Sequence, residues 1–285
     1  MLTKIRQRQN FENLPKEHKF YIQVIEWLAP LFPNISTDKI DTLSDAAYLY
    51  FRFLLSFDEF VDVRHGQEKI NKLIALKQGF SDYELSIRKL SFLYIEDDFW
   101  KKFEEVRSIY FNTVLLEKRI SESQSEVDIE MFEKIAKGKS VICLNAVFGL
   151  QFLSENYDYE HDLINCIEEI HIGLQYIDDI EDFKKDILEN QWTYPQFLLK
   201  EYLKSHQISI EDAAIKHKYL YLSNIASDSF YKAIFHFKNA SKITRYLGLI
   251  DLEDYLNAQI NFVNFHLNEI EYLKIKAKNA YQKSN

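Results

Sequence analysis

GLQYIDDIEDFKKDILENQWTYP, residues 173–195, sets Asp178, Asp179, Glu181, Asp182 and Asp186 within nine positions. Asp178, Asp182 and Asp186 recur at i, i+4 and i+8, so on an α-helix each lies about 40° round from the last and the three share one stripe. The residues before them are apolar or small apart from Gln175, and Tyr194-Pro195 reads as a stop signal. A solvated helix face normally sets Lys or Arg at i+4 to relieve like-charge repulsion. Lys184 and Lys185 follow the densest acids instead of separating them. Carboxylates crowded in this way need an external cation, and a hard divalent ion with oxygen ligands, Mg²⁺ first, suits them. Taken alone, the run reads equally well as an acidic surface helix.

The rest of the chain favours helices. With 6 Gly and 4 Pro in 285 residues there are too few turn formers for a many-stranded sheet, and long helices joined by short loops fit that scarcity. Hydrophobic residues make up 47% and aromatics 15%, enough for a large core and far from a disordered composition. The formal charge of −9 argues against non-specific nucleic-acid binding and against docking on anionic membranes. Cys143 and Cys166 stand in apolar helical contexts without metal spacing and read as reduced core residues. No signal core and no run of 18 apolar residues occurs, so the expectation is a cytoplasmic protein without a transmembrane segment.

Taken in order, residues 1–16 read as a flexible lead, and 17–32 as an amphipathic helix closed by Pro30 and Pro33. After the loop NISTDKID, a strongly apolar helix runs from an N-cap at Ser44 to Gly66 and carries Asp58, Glu59 and Asp62 near its end. Asp58 and Asp62 are one turn apart, approached past Phe51, Leu54 and Leu55. A helix C-terminus repels anions, so a bound cation would offset the cost of these acids; a helix end reaching water is the plain alternative. Further helices are expected at 68–78, from Ser81, across 97–120, across 130–153 with a kink at Gly138, and at 196–205, 210–247 and 250–281, with a bend near 226. No repeat, linker or low-complexity tract divides the chain, so residues 1–285 read as a single all-α domain.

Two acidic clusters, each closing an apolar helix, can face one another across the cavity of an antiparallel bundle. Such a cavity, apolar below and metal-lined above, suits an amphipathic diphosphate with a hydrocarbon tail. Mg²⁺ leaves coordination sites to substrate phosphates and assists departure of diphosphate. Phe51, Leu54, Leu55, Phe148, Leu174 and Gln175 are the candidate cavity residues. The eight histidines make no zinc spacing; His171, seven residues before Asp178, reads as a hydrogen-bonded core residue. The chain contains no GxSxG, P-loop or GxGxxG.

Asp178-Asp179-Ile180-Glu181-Asp182 after Gly173-Leu174-Gln175-Tyr176 resembles the second aspartate-rich motif of trans-isoprenyl diphosphate synthases. FEKIAKGKSVICLNAVFG, residues 132–149, resembles the helix before it in that family, and Lys139 matches the family's diphosphate-contacting lysine. YLYFRFLLSFDEFVD, residues 48–62, is similar to the first motif of squalene and phytoene synthases, with acids spaced DxxxD. Asp178, Asp182 and Asp186 sit at the positions of the metal triad of class I terpene cyclases, and Arg245-Tyr246 resembles the diphosphate-contacting pair near the C-terminus of bacterial cyclases. There are departures. Chain-elongating synthases carry two adjacent arginines a few residues beyond the first motif, whereas Arg64 stands alone and close behind Asp62. The arginine-bearing turn of the head-to-head condensing enzymes is also missing before Tyr194-Pro195.

The resemblance implies the class I isoprenoid synthase superfamily: an all-α single helical bundle with a central apolar cavity. It implies Asp58, Asp62, Asp178 and Asp182 as catalytic acids, which with Asp186 hold metal, and Lys139, Arg245 and Tyr246 as diphosphate contacts. The cofactor implied is Mg²⁺, about three ions per site with diphosphate bound. Because a single-substrate reaction asks least of the residues present, the expectation is a terpene synthase that ionises and cyclises a linear prenyl diphosphate of C15 or longer. The alternatives are a prenyl diphosphate synthase or a squalene/phytoene synthase-like prenyltransferase, and beyond these a non-catalytic helical binding protein. The small-molecule substrate is the expected partner, with a homodimer possible and nucleic acid excluded.

Overall fold

The computed structural model describes residues 18–62 and 67–284, and among them no strand occurs. The helices are α1 (His18–Leu28), α2 (Thr37–Asp62), α3 (Gln67–Leu93), α4 (Asp97–Ser123), α5 (Ile129–Ser140), α6 (Leu144–Ser154) and α7 (Glu160–Glu181). After them come α8 (Phe183–Glu189), α9 (Tyr194–Ser205), α10 (Ala213–Leu222), α11 (Ile225–Leu247) and α12 (Ile250–Ser284). Short 3₁₀ turns lie at Ala29–Leu31 and Val141–Cys143. The all-α class follows directly from the scarcity of Gly and Pro. The expectations for residues 1–16 and for Arg64-His65-Gly66 lie outside the described residues.

Several helix limits differ from the sequence reading, each for a local reason. α2 starts at Thr37, not at Ser44, because the Ser36 carbonyl already accepts from the N–H groups of Lys39 and Ile40 at 3.0 and 3.1 Å. Asp38 in the first turn suits the positive end of the helix. α3 runs unbroken where two helices were expected. Gly79 lies inside it as a packing residue: a Cβ there would sit 2.9 Å from Ser56 Cβ. Gly138 is likewise no kink, since α5 continues to Ser140 and the backbone tightens only afterwards. Tyr194-Pro195 does not stop a helix; it opens α9, with Pro in the first turn where its missing N–H costs nothing. The actual stop is Asn190, at φ 55°. The long helix expected over 210–247 starts later, with the Asp212 carboxylate capping Ile215 N–H at 2.9 Å, and breaks at Asn224, at φ 69°.

The helices gather into two compact units, one of residues up to Val106 with Ile142–Leu163, the other of Arg107–Val141 with residues from Ile164 on. In the first, α2 and α3 form an antiparallel pair. Lys89 meets Asp45 at 3.1 Å, Ser86 Oγ donates to the Ala46 carbonyl at 2.7 Å, and Arg52 meets Asp82 at 3.0 Å. α1 stacks Tyr21 on Phe51 with ring centroids 4.4 Å apart, and Tyr94 donates to the Gly149 carbonyl at 2.8 Å. In the second unit α7 and α11 run antiparallel. Gly173 admits the Phe237 ring, which a Cβ would meet at 2.6 Å. His236 Nδ1 pairs with Glu169 at 2.8 Å. Tyr176, Phe183 and Phe237 are buried almost completely and anchor this core.

Candidate functional site

The second unit holds the acidic stripe. α7 ends at Glu181 and α8 starts at Phe183, so Asp182 sits at a bend (φ −84°, ψ −2°) instead of in one continuous helix. The helical bonds nonetheless carry through: Asp182 N–H reaches the Asp178 carbonyl at 2.8 Å and Asp186 N–H the Asp182 carbonyl at 2.9 Å. The three carboxylates therefore stay on one side of the chain. Asp178 is exposed, whereas Asp182 and Asp186 are half-buried.

Asp179, one position off the stripe, is the acid the sequence reading left without a role. It is 6% exposed and its Oδ1 accepts from Gln175 Nε2 at 2.6 Å. Burial pushes its carboxyl up to about 8, the Gln175 bond opposes this, and the Asp178 charge adds to it. Asp186 is also pushed up to about 8, by burial first and then by the charges of Asp179, Asp182 and Asp178. Lys185 meets Asp182 at 3.1 Å, and its charge also draws Asp186 down against the larger upward effects. The acids of this cluster thus act on one another, Asp179, Asp182 and Asp178 each raising Asp186.

Lys139 belongs to the same neighbourhood, since its charge acts on Asp179. Its Nζ donates to both Glu117 oxygens, at 3.1 and 3.2 Å. Glu117 escaped the sequence reading because it lies 22 residues away on another helix, and no spacing links the two. Gln175, expected as a cavity residue, serves instead to hold Asp179, and Leu174 lies half-buried in this unit.

Arg245 and Tyr246 do not join this group. Since Glu169 pairs with His236 on antiparallel helices, Asp178 and Arg245 diverge from that point by nine residues each. That is a separation of roughly 27 Å along the helix axes. Arg245 is tied to Glu253 at 2.5 Å, and Tyr246 is 80% exposed at the last turn of α11.

Asp58 lies in the first unit, half-buried in the last turns of α2; the side chain of Asp62 is outside the described residues. Two lysines of α3 reach this helix end. Lys72 meets Glu59 at 2.8 Å, and Lys69 donates to the Phe60 carbonyl, where it answers the negative end of the helix. The same unit holds a narrow apolar cavity of about 60 Å³, partly open to solvent. Phe51 and Leu54 line it, joined by Tyr21, Tyr50, Phe103 and Asn145. Leu55 and Phe148 are not in its wall; Phe148 packs in the core with the Lys102 ammonium over its ring.

Among the described residues no three His, Cys, Asp or Glu side chains form a ready metal cage. The donor set is still of the kind that suits Mg²⁺, which takes one or two carboxylates and completes its shell with water and phosphate oxygens. Among the described residues no helix is long and apolar enough to cross a membrane. No family model and no curated protein sequence matches the chain. Its fold is similar to the crystal structure of a polyprenyl synthase from Roseobacter denitrificans, at 15% identity, with 92% of each chain covered and a TM-score of 0.66. The chain therefore has an isoprenoid synthase-like fold.

Proposed function

We propose that this chain is a prenyltransferase of the polyprenyl synthase type, acting on a linear prenyl diphosphate. The observation that carries the reading is the crowded carboxylate end of α7, Asp178, Asp179, Asp182 and Asp186, in a chain folded like a polyprenyl synthase. Burial and mutual repulsion push two of these acids toward their neutral form, and a divalent cation shared with a diphosphate relieves that repulsion. Asp178, Asp182 and Asp186 would hold Mg²⁺ here, and Asp58 and Asp62 are the acids proposed for the same role on α2. Mg²⁺ held by these acids would supply charge neutralisation for a departing diphosphate. Lys139 offers a donor for a diphosphate oxygen, and Glu117 fixes where its ammonium stands. Gln175 fixes Asp179 in the same way.

A second reading, ionisation and cyclisation of one prenyl diphosphate, is favoured by a single sequence feature, the lone Arg64 where elongating synthases carry an arginine pair. One experiment separates the two. Farnesyl and geranylgeranyl diphosphates are each supplied with Mg²⁺, with and without isopentenyl diphosphate, and the products are extracted and identified. A longer diphosphate that forms only with isopentenyl diphosphate is the expected result. A hydrocarbon or alcohol formed from one substrate alone makes the cyclase correct instead, and no turnover of either substrate removes the enzymatic reading.

A further inference from the structure

The second unit holds a cavity of about 570 Å³, partly open to solvent, bounded by α8, α9, the turn between them and the segment 206–212 that leads into α10. Its lining includes Phe183, Ile187, Leu199, Leu203 and Ile208, and Phe183 and Leu199 are almost wholly buried. Trp192 also lines it and is fixed in place. The Trp192 backbone N–H donates to Ser121 Oγ at 3.1 Å, and the indole N–H donates to the Ser125 carbonyl at 2.7 Å. The segment 206–212 is tied at both ends: Ile208 N–H donates to the Leu203 carbonyl at 2.9 Å, and the Asp212 carboxylate caps Ile215 N–H. The hollow is therefore set by bonded backbone. Its charged lining is Lys200, Lys204, Lys216 and Glu211, three ammonium groups to one carboxylate in a chain of formal charge −9. Lys204 reaches Glu201 only at 3.9 Å and Lys216 reaches Glu211 only at 3.8 Å, with both glutamates exposed. Pairs of that kind contribute little and yield to a better partner. Among the described residues Lys200 forms no ion pair; its Nζ stands 5.2 Å from the centre of the Trp192 ring.

We infer that this cavity binds a small amphipathic carboxylate, its hydrocarbon body on Phe183, Leu199 and Leu203 and its carboxylate held by Lys200 beside Trp192. The volume falls within the roughly 300–1,000 Å³ of small-molecule sites, and an apolar lining with a few charged groups is the usual build of such sites. Burial of the hydrocarbon drives association, and the ammonium groups select the sign of the headgroup. A cation with the same body would meet three like charges against one carboxylate, and an uncharged body would leave Lys200 without its partner. This inference stands independently of the enzymatic reading: none of Asp178, Asp182, Asp186 and Lys139 lines the cavity, and neither Mg²⁺ nor diphosphate is required.

The test is a titration of the full chain, in EDTA and below the micellar range, with decanoate and with decylammonium, two guests of like body and opposite charge. Binding is followed by NMR at the indole N–H of Trp192, so that a cation collected by the acids of α7 does not count. Trp27 and Trp100 lie in the first unit and serve as internal controls. Decanoate should shift the Trp192 signal and leave the other two in place, and decylammonium should bind there about tenfold more weakly or not at all. In Lys200→Glu, an exposed position on α9, the preference for decanoate should fall by about tenfold. No decanoate shift at Trp192, shifts at Trp27 or Trp100 instead, or equal binding of the two guests overturns the inference. A guest preference unchanged in Lys200→Glu overturns it as well. Should that variant not fold, the comparison of guests on the unmutated chain decides.

Discussion

His171 and Asp179 lie eight residues apart on α7, both buried, and burial moves their protonation in opposite senses. His171 Nδ1 donates to the Ile167 carbonyl at 2.9 Å, and desolvation lowers the ring to about 4 from its ordinary value near 6.5. Above pH 6.5 the ring is neutral in folded and unfolded chain alike and contributes no pH dependence. Between 6.5 and about 4 the unfolded chain binds a proton that the folded one refuses, so stability falls with pH by about 1.4 kcal/mol per unit, or about 3 kcal/mol in all. Asp179, raised instead of lowered, binds its proton in the folded chain first and adds stability as pH falls, so the total curve conceals both. Urea unfolding of wild type and His171→Gln from pH 8 to pH 4.5 isolates the histidine by difference. The variant's deficit, if any, at pH 8 should shrink or reverse toward pH 4.5; parallel curves would sink the assignment. The sequence showed His171 as a core histidine because its neighbours are apolar. It could not show that Asp179 is the buried acid, since the i, i+4 spacing that selected Asp178, Asp182 and Asp186 says which acids share a stripe and nothing about which neighbour turns inward.

At the scale of the helix, Gly79 and Gly138 sit unbroken inside helices for one shared cause. A kink was expected at Gly138, and Gly79 falls between two helices read as separate; Gly weakens a helix by about 1 kcal/mol relative to Ala when nothing else acts. Something else does act: each lies where another helix comes too close for a side chain. A Cβ on Gly138 would fall 2.2 Å from Thr113 Oγ1 and 2.8 Å from Thr113 Cγ2. Gly138→Ala therefore trades the helix-propensity gain against an overpacking cost of about 1–3 kcal/mol, and the packing loss is expected to win. Thr113→Ala should make room, so that the double variant recovers most of the loss and the alanine's helical advantage shows. Thermal melts of the two single variants and the double variant read the coupling directly. Additive effects of the two substitutions would mean that the close approach does not govern this glycine. Gly248 makes the contrast: at φ 70° with open space around it, it closes α11, and Leu249 N–H reaches back to the Thr244 carbonyl at 2.9 Å. Only the backbone conformation distinguishes the two uses, and a single sequence does not record it.

For the whole molecule, helix content was legible because composition constrains it. So few turn formers with so many Phe, Leu and Ile leave long packed helices as the available solution. The partition into two units, and with it the assignment of Asp58 and Asp178 to different ones, depends on contacts between distant helices and left no mark in local patterning. Arg245 shows the same limit: its dipeptide matched a family pattern, while the antiparallel course of α7 and α11 carries it away from the acids. The crowding of carboxylates around Asp179 and Asp186 has a consequence for the stability of the entire chain. Without a cation those charges repel, so the chain should gain stability from any ligand that binds them only when folded, by RT ln(1 + [L]/Kd). Mg²⁺ alone meets few fixed carboxylate ligands and should bind weakly; pyrophosphate alone meets the repulsion of the acids. Together they complete one another's coordination, so the rise in melting temperature with both present should exceed the sum of the separate rises. A site occupied at a hundred times its dissociation constant gains about 2.7 kcal/mol, a shift easily read in a scan. Asp178→Ala should keep the helical circular-dichroism signal and lose the excess shift. An equal pyrophosphate effect in EDTA, or an undiminished joint effect in Asp178→Ala, would mean that the stripe is an acidic surface after all.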